Sequence, residues 1–235
     1  MSRCFLMVAA EAREFGGLLR HVGDLQKLTW PVDYARSAVL RENRVLLVAN
    51  GPGPKLAAQA VDVVRGNETV DLIVSTGLCG ALAPNLALCE IVVATSVVDP
   101  RAGKSYVAEP VRSDAPSTAG AVVSIDRIAG TVGEKTELHR TGAVAVEMEA
   151  AGVAVRTAVA GLPFYCVKVV SDRADEGFVF DFNQARDEDG RFATGKIVRA
   201  ALRRPVALIP ELLRLEKRSR AAAEALGDFL AECRF

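Results

Sequence analysis

The chain has 235 residues, half of them hydrophobic, and its 29 Lys and Arg are matched by 29 Asp and Glu. Ordinary glycine and proline contents exclude a fibrous or disordered chain, and a net charge of zero removes any bulk electrostatic case for a nucleic-acid partner. A small, roughly neutral ligand fits this balance better.

The N-terminal stretch MSRCFLMVAAEAREF carries a short apolar run broken by Glu11. The run is too brief to span a membrane and has no signal-peptide layout, so a cytoplasmic protein is expected. Residues 3–10 read as a first strand and 11–21 as a first helix, with Glu14 in its opening turn. Residues 30–40 read as irregular or hairpin, 44–49 as a strand, and Gly51-Pro52-Gly53-Pro54 as a rigid turn before a helix at 55–65. A buried strand at 70–75 leads into a glycine-bearing loop, residues 76–84, in which Gly77 and Gly80 let backbone approach a ligand or only make a tight turn. A Val-rich strand follows at 89–98. Residues 99–118, rich in Pro, Gly, Ser and charge, read as a surface loop that a partner subunit could order. Strands at 121–125 and 143–146 flank a short helix at 132–140.

The most informative stretch is 146–176, VEMEAAGVAVRTAVAGLPFYCVKVVSDRADE. Glu147 and Glu149 open an Ala/Val-rich helix, where acidic residues suit the positive end of the helix dipole. Gly161 and Pro163 stop it. Residues 164–170 are apolar except for Lys168, the pattern of a strand buried on both faces. That strand ends in Ser171-Asp172, which puts a carboxylate at the carboxyl edge of a sheet, where open α/β sheets bind ligands. A polar stretch to Gly190 follows, then helices around 197–202 and 206–229 that Pro205 and Pro210 break up. The alternation of strands and helices, without repeat or linker, predicts one layered α/β domain over residues 1–235.

Chemistry in such a chain falls to Asp and Glu. Only His21 and His139 are present, and the five cysteines (Cys4, Cys79, Cys89, Cys166, Cys233) form no C-x-x-C pair, so neither a metal site, a disulfide framework nor a His-based nucleophile is expected. No G-x-x-x-x-G-K-[ST] or G-x-G-x-x-G occurs.

The segment VEMEAAG followed by VVSDRAD resembles the purine nucleoside phosphorylase/nucleosidase superfamily, and within it the hydrolytic branch of methylthioadenosine/S-adenosylhomocysteine nucleosidases. MVAAEARE, NGPGPKLAAQA and TGLCGALAPNLALCEIVVAT extend the resemblance over most of the chain. It implies a three-layer nucleoside phosphorylase-like α/β fold with a mixed central sheet flanked by helices, a homodimer, and cleavage of the N-ribosidic bond of a 5′-modified adenine nucleoside without cofactor or metal. By the same resemblance Asp172 protonates the departing purine, Glu14 activates water with Glu11 as the competing choice, Glu149 holds the ribose hydroxyls and Met148 packs on the sugar. Glu147, Ser171, Gly77 and Ile128 complete the expected substrate site. The phosphorylases carry an arginine two residues before the first glycine of the central loop and a hydroxyl just after that glycine. Here Ser75 and Leu78 stand there, which favours water over phosphate as nucleophile. Methylthioadenosine nucleosidases carry serine in place of Leu78 and an aromatic in place of Ile128, so the 5′ substituent stays open. Phosphorolysis is one rival reading, and a nucleoside-binding protein without turnover is another.

Asp189-Gly-Arg191 and LRRPVALIPELLRLEKRSRAA resemble the hopanoid-associated phosphorylase-like proteins, which implies adenosylhopane as substrate. Arg203, Arg204, Arg214, Lys217, Arg218 and Arg220 alternate there with apolar residues. Such a helix either packs on the sheet with its arginines in water or makes peripheral contact with an anionic membrane.

Overall fold

The computed structural model describes residues 2–235. Strand β1 (Cys4–Ala9) is followed by two short 3-10 turns, Ala12–Phe15 and Leu18–Arg20, and then by β2 (Gly23–Lys27), β3 (Tyr34–Leu40) and β4 (Asn43–Ala49). Helix α1 (Pro54–Arg65), β5 (Leu72–Ala81), β6 (Ile91–Asp99), β7 (Lys104–Val107) and β8 (Thr118–Ser124) come next. They lead to α2 (Val132–His139), β9 (Ala145–Glu147), α3 (Ala150–Ala160) and β10 (Phe164–Asp172). Two helices, α4 (Thr194–Arg203) and α5 (Pro205–Glu232), close the chain.

All ten strands join one mixed sheet, ordered β10-β6-β8-β9-β5-β1-β4-β3-β2, with β7 on β6 and a further pairing of β10 with β5. That last pairing makes β5 a hub beside β1, β9 and β10, and closes five strands into a ring that continues as an open sheet. Alternation along the strands separates two cores. Leu6, Val8, Leu46 and Val48 meet Ala57, Val61 and Val64 of α1 and Val153 of α3 on one face. On the other, Phe5, Met7, Val45 and Leu47 meet Leu226, Phe229 and Leu230 of α5. The result is the expected three layers, helix–sheet–helix. Each fully buried Leu or Val contributes about 1.5–3 kcal/mol relative to exposure.

Four local expectations differ from the structure. The helix expected at 11–21 is the pair of 3-10 turns, because Gly17 is pressed onto α5: a Cβ there would lie 2.3 Å from the Ala223 carbonyl oxygen. The glycine loop expected at 76–84 is largely strand. β5 runs on to Ala81, since β10 pairs with it from Phe164↔Ile73 to Asp172↔Gly80 and β9 takes Gly80 and Ala81. The expected surface loop 99–118 contains β7, which folds back on β6 as a hairpin. Pro205 divides α4 from α5, but Pro210 lies inside α5, at the cost of one intrahelical hydrogen bond.

Candidate active site

The carboxyl ends of β1, β5, β9 and β10 converge on a cavity of about 200 Å³, whose walls include Glu14, Leu78, Met148, Glu149, Ser171 and Asp172. Glu11, Glu147 and Ile128 border it as well. Of the expected site residues only Gly77 is off its wall, and its purpose is different. Gly77 has φ +118°, and a Cβ on it would stand 2.0 Å from Glu14 Oε2. The bare α-carbon makes room for the Glu14 carboxylate, not for a ligand.

Glu14 is buried and held at both oxygens. The Glu11 backbone N–H donates to Oε1 (2.8 Å) and the Leu78 N–H to Oε2 (2.9 Å). Glu11, its rival, lies nearer the surface and pairs with Arg13 at 2.6 Å. The geometry therefore separates two glutamates that the sequence leaves together.

Glu147 ends β9 and does not open a helix. Its carboxylate accepts the N–H groups of Glu149 (3.0 Å) and Ala150 (2.8 Å), satisfying free donors at the start of α3. With that and an ion pair to Lys168, Glu147 serves as a support for the site, although it borders the cavity. Glu149 stands at the N-cap position of α3 without a side-chain capping bond, and its Oε1 accepts the Gly53 N–H (2.9 Å), which ties the Gly51–Pro54 turn to the site.

Lys168 is the residue that sequence reasoning passed over. Fully buried in β10, its Nζ sits 2.8 Å from Glu147 Oε2, 3.9 Å from Glu149 Oε2, and donates to the Thr76 carbonyl at 3.0 Å. Its signal was present as the one charge in an otherwise apolar strand. Burial works against that charge, but Glu147 and Glu149 outweigh it and hold the ammonium above the ordinary lysine range. One ammonium cannot balance three buried carboxylates. Burial accordingly pushes up Glu14 and Glu149, the latter to about 8, with Lys168 opposing and Glu147 and Glu14 reinforcing the rise at Glu149.

Two predictions arise here. Lys168→Met would leave Glu147 buried without its counter-charge, and should cost about 3–5 kcal/mol in a denaturant titration. An unchanged midpoint would show that the pair carries no net weight. The second concerns pH. Glu14 and Glu149 bind protons more tightly folded than unfolded, so their stabilisation is complete below the ordinary value of 4.5 and is lost as pH rises through their raised folded values, about 8 for Glu149. The melting temperature should fall across that window, and Glu149→Gln should flatten the slope. A slope unaltered in that variant would contradict the assignment.

Asp172 ends β10 opposite Gly80. Lys135, buried on α2, places Nζ 2.5 Å from Asp172 Oδ2 and 2.6 Å from the Arg173 carbonyl. The Ser171 hydroxyl lies 2.7 Å from Asp172 Oδ1 and 3.1 Å from the Cys79 carbonyl, with one proton to donate between them. No sequence pattern pointed to Lys135, which is brought in from 37 residues away. Ile128 is held by Asn183, which donates to its carbonyl (3.0 Å) and accepts its N–H (2.8 Å). Asp126 and Arg127 do not pair with each other: Asp126 binds Arg186 at 2.7 Å, and Arg127 binds Glu134.

Ser75 is wholly buried, and Leu78 supplies only an apolar side chain and an N–H given to Glu14. Among the residues lining the cavity the cations are Arg13 and Arg127, each paired with a glutamate. Carboxylates gathered at a cavity whose lining cations are already paired favour a reaction that develops positive charge.

A family model described as the phosphorylase superfamily matches residues 31–120 and 107–203. The chain belongs to the phosphorylase superfamily. Among solved structures it is similar to the 5′-methylthioadenosine/S-adenosylhomocysteine nucleosidase of Neisseria meningitidis, crystallised with methylthio-immucillin-A: TM-score 0.74, 20% identity, covering 98% of this chain and 97% of that one. Futalosine hydrolase of Helicobacter pylori gives 0.73 at 16% identity, covering 98% and 96%. S-adenosylhomocysteine nucleosidase of Streptococcus pyogenes gives 0.67 at 21%, covering 96% and 98%. These likenesses establish the fold. No curated protein matches the sequence.

Proposed function

We propose that the chain is a nucleosidase that hydrolyses the N-ribosidic bond of a 5′-modified adenine nucleoside. The observation that carries this reading is the set of carboxylates around the cavity: Asp172 with Lys135 at the end of β10, and Glu14 and Glu149, which with Glu147 share Lys168 as their counter-charge. Breaking the bond requires a proton on the departing base and stabilisation of an oxocarbenium-like sugar. Asp172 takes up a proton, passes it to the purine and returns to its pair with Lys135 Nζ. Glu14, made more basic by burial, takes a proton from water as that water attacks the anomeric carbon. Glu149 accepts a ribose hydroxyl, Met148 covers the sugar, and Ile128 and Ser171 border the base. Lys168 positions Glu149 and Glu147.

The relatives of known structure act on, or bind analogues of, methylthioadenosine and adenosylhomocysteine, and one acts on futalosine by its name. For this chain a longer apolar 5′ substituent is proposed, with adenosylhopane as the specific substrate. A second cavity of about 390 Å³ supports it, sharing Ile128, Ser171, Asp172, Phe178 and Phe192 with the first and continuing along Phe182, Ile197, Leu212 and Leu215. A homodimer is part of the same reading, and sedimentation tests it. Chromatography of base released from a panel of 5′-substituted adenosines tests the substrate. Release from a long apolar tail and little from methylthioadenosine would support the proposal, and the reverse order would assign the small-substrate branch. A nucleoside bound tightly and never cleaved would replace the enzyme by a binding protein.

A further inference from the structure

Helices α4 and α5 present two apolar faces. The inner one, with Ile197, Leu212 and Leu215, lines the second cavity. The outer one is largely open to solvent: Leu202 is 75% exposed, Val206 90% and Leu213 61%, with Val198 and Ile209 about half exposed beside them. Val198 and Leu202 are four residues apart on α4, and Val206, Ile209 and Leu213 follow at spacings of three and four on α5, so each set forms one stripe. Cations border the stripe. Between residues 194 and 215 stand Lys196, Arg199, Arg203, Arg204 and Arg214 against a single carboxylate, Glu211, which is buried and bound by Arg214 at 2.7 Å. Arg199, Arg203 and Arg204 form no ion pair among the described residues.

We propose that α4 and the first turns of α5 form a docking face for an anionic lipid surface. Apolar side chains on a helix lying in the plane of the membrane enter the acyl boundary, while flanking arginines meet the headgroups. This surface shares Arg203, Arg204 and Arg214 with the basic helix noted in the sequence but moves it onto α4, because Arg218 is bound to Glu176, Arg220 to Glu224, and Leu208 is buried. A second copy of the chain is a poorer occupant, since a two-fold contact would gather both copies' unpaired Arg199, Arg203 and Arg204 into one interface. The proposal does not depend on the reaction assigned above.

The test is co-sedimentation of the full chain with vesicles of phosphatidylcholine alone or with phosphatidylglycerol as a minority lipid, without substrate. Binding should be at least about tenfold stronger on the anionic vesicles and should weaken as salt is raised. The double variant Leu202→Asp/Val206→Asp should lose it while keeping its circular dichroism, melting temperature and base release from a soluble nucleoside. Arg199→Gln/Arg203→Gln, which leaves the apolar stripe intact, should weaken it on anionic vesicles only. Equal binding by wild type and both variants, or no binding at low salt, would overturn the proposal. So would a change in oligomeric state caused by Leu202→Asp/Val206→Asp without vesicles, which would make the face a protein contact. Because binding and base release are read separately, failure of one leaves the other standing.

Discussion

Asp172→Asn is expected to slow base release by about 10²–10⁴-fold, the usual contribution of a positioned general acid, with the Michaelis constant changed only a few-fold. The geometry allows the amide to take the place of the carboxyl. Its oxygen can still accept from Lys135 Nζ, now 2.5 Å from Oδ2, and its NH₂ can donate to Ser171 Oγ, now 2.7 Å from Oδ1. What disappears is a proton that can be given to the purine. Stability should fall by about 3–5 kcal/mol, since Lys135, buried like Lys168, loses its counter-charge, and melting curves separate that loss from the chemical one. Turnover at the wild-type rate would remove Asp172 from the mechanism.

The companion prediction is Glu14→Gln, again with a loss of about 10²–10⁴-fold in turnover, against less than about threefold for Glu11→Gln. Glu14 accepts two backbone N–H groups, one at each oxygen. Glutamine has one oxygen, so one of those donors would face an NH₂ group, at a cost of about 1–3 kcal/mol in stability. Parallel melting curves separate that cost from the chemical one. Were Glu11→Gln the damaging change, the base would be Glu11 and the water would lie on the other side of Arg13.

Much of this was legible in the sequence because local pattern and tertiary environment agree there. A run apolar on both faces predicts a central strand, and β10 is one; its last residue falls at the sheet's carboxyl edge, so Asp172 could be placed without coordinates. The end of α3 at Gly161, in left-handed conformation, and the start of α1 at Pro54 follow from backbone restrictions that act locally. Where the reading failed, distant partners decide. β5 continues through Gly77 and Gly80 because β9 and β10 satisfy its backbone groups, and nothing within residues 76–84 announces those partners. The 3-10 turns after β1 replace a helix because α5, two hundred residues on, packs against Gly17. Lys135 was invisible for the same reason, whereas Lys168 was noticed as an exception without its three-carboxylate setting.

The buried charge pattern explains why this arrangement suits hydrolysis. Phosphate would bring further negative charge into a cavity already short of cations, where Ser75 and Leu78 occupy the positions that serve phosphate in the phosphorylases this chain resembles. Water brings none, and the ionised carboxylates of Glu14 and Glu149 attract an oxocarbenium-like sugar, while burial is what raises their affinity for protons.

The most direct test of that central claim is single-turnover cleavage of the preferred adenine nucleoside in phosphate-free, oxygen-18-enriched water, with the sugar product read by mass spectrometry. Free adenine together with a sugar carrying one heavy oxygen at its anomeric carbon, at a rate that added phosphate does not raise, is the predicted result. A strict requirement for phosphate, with a sugar phosphate as product, would contradict it.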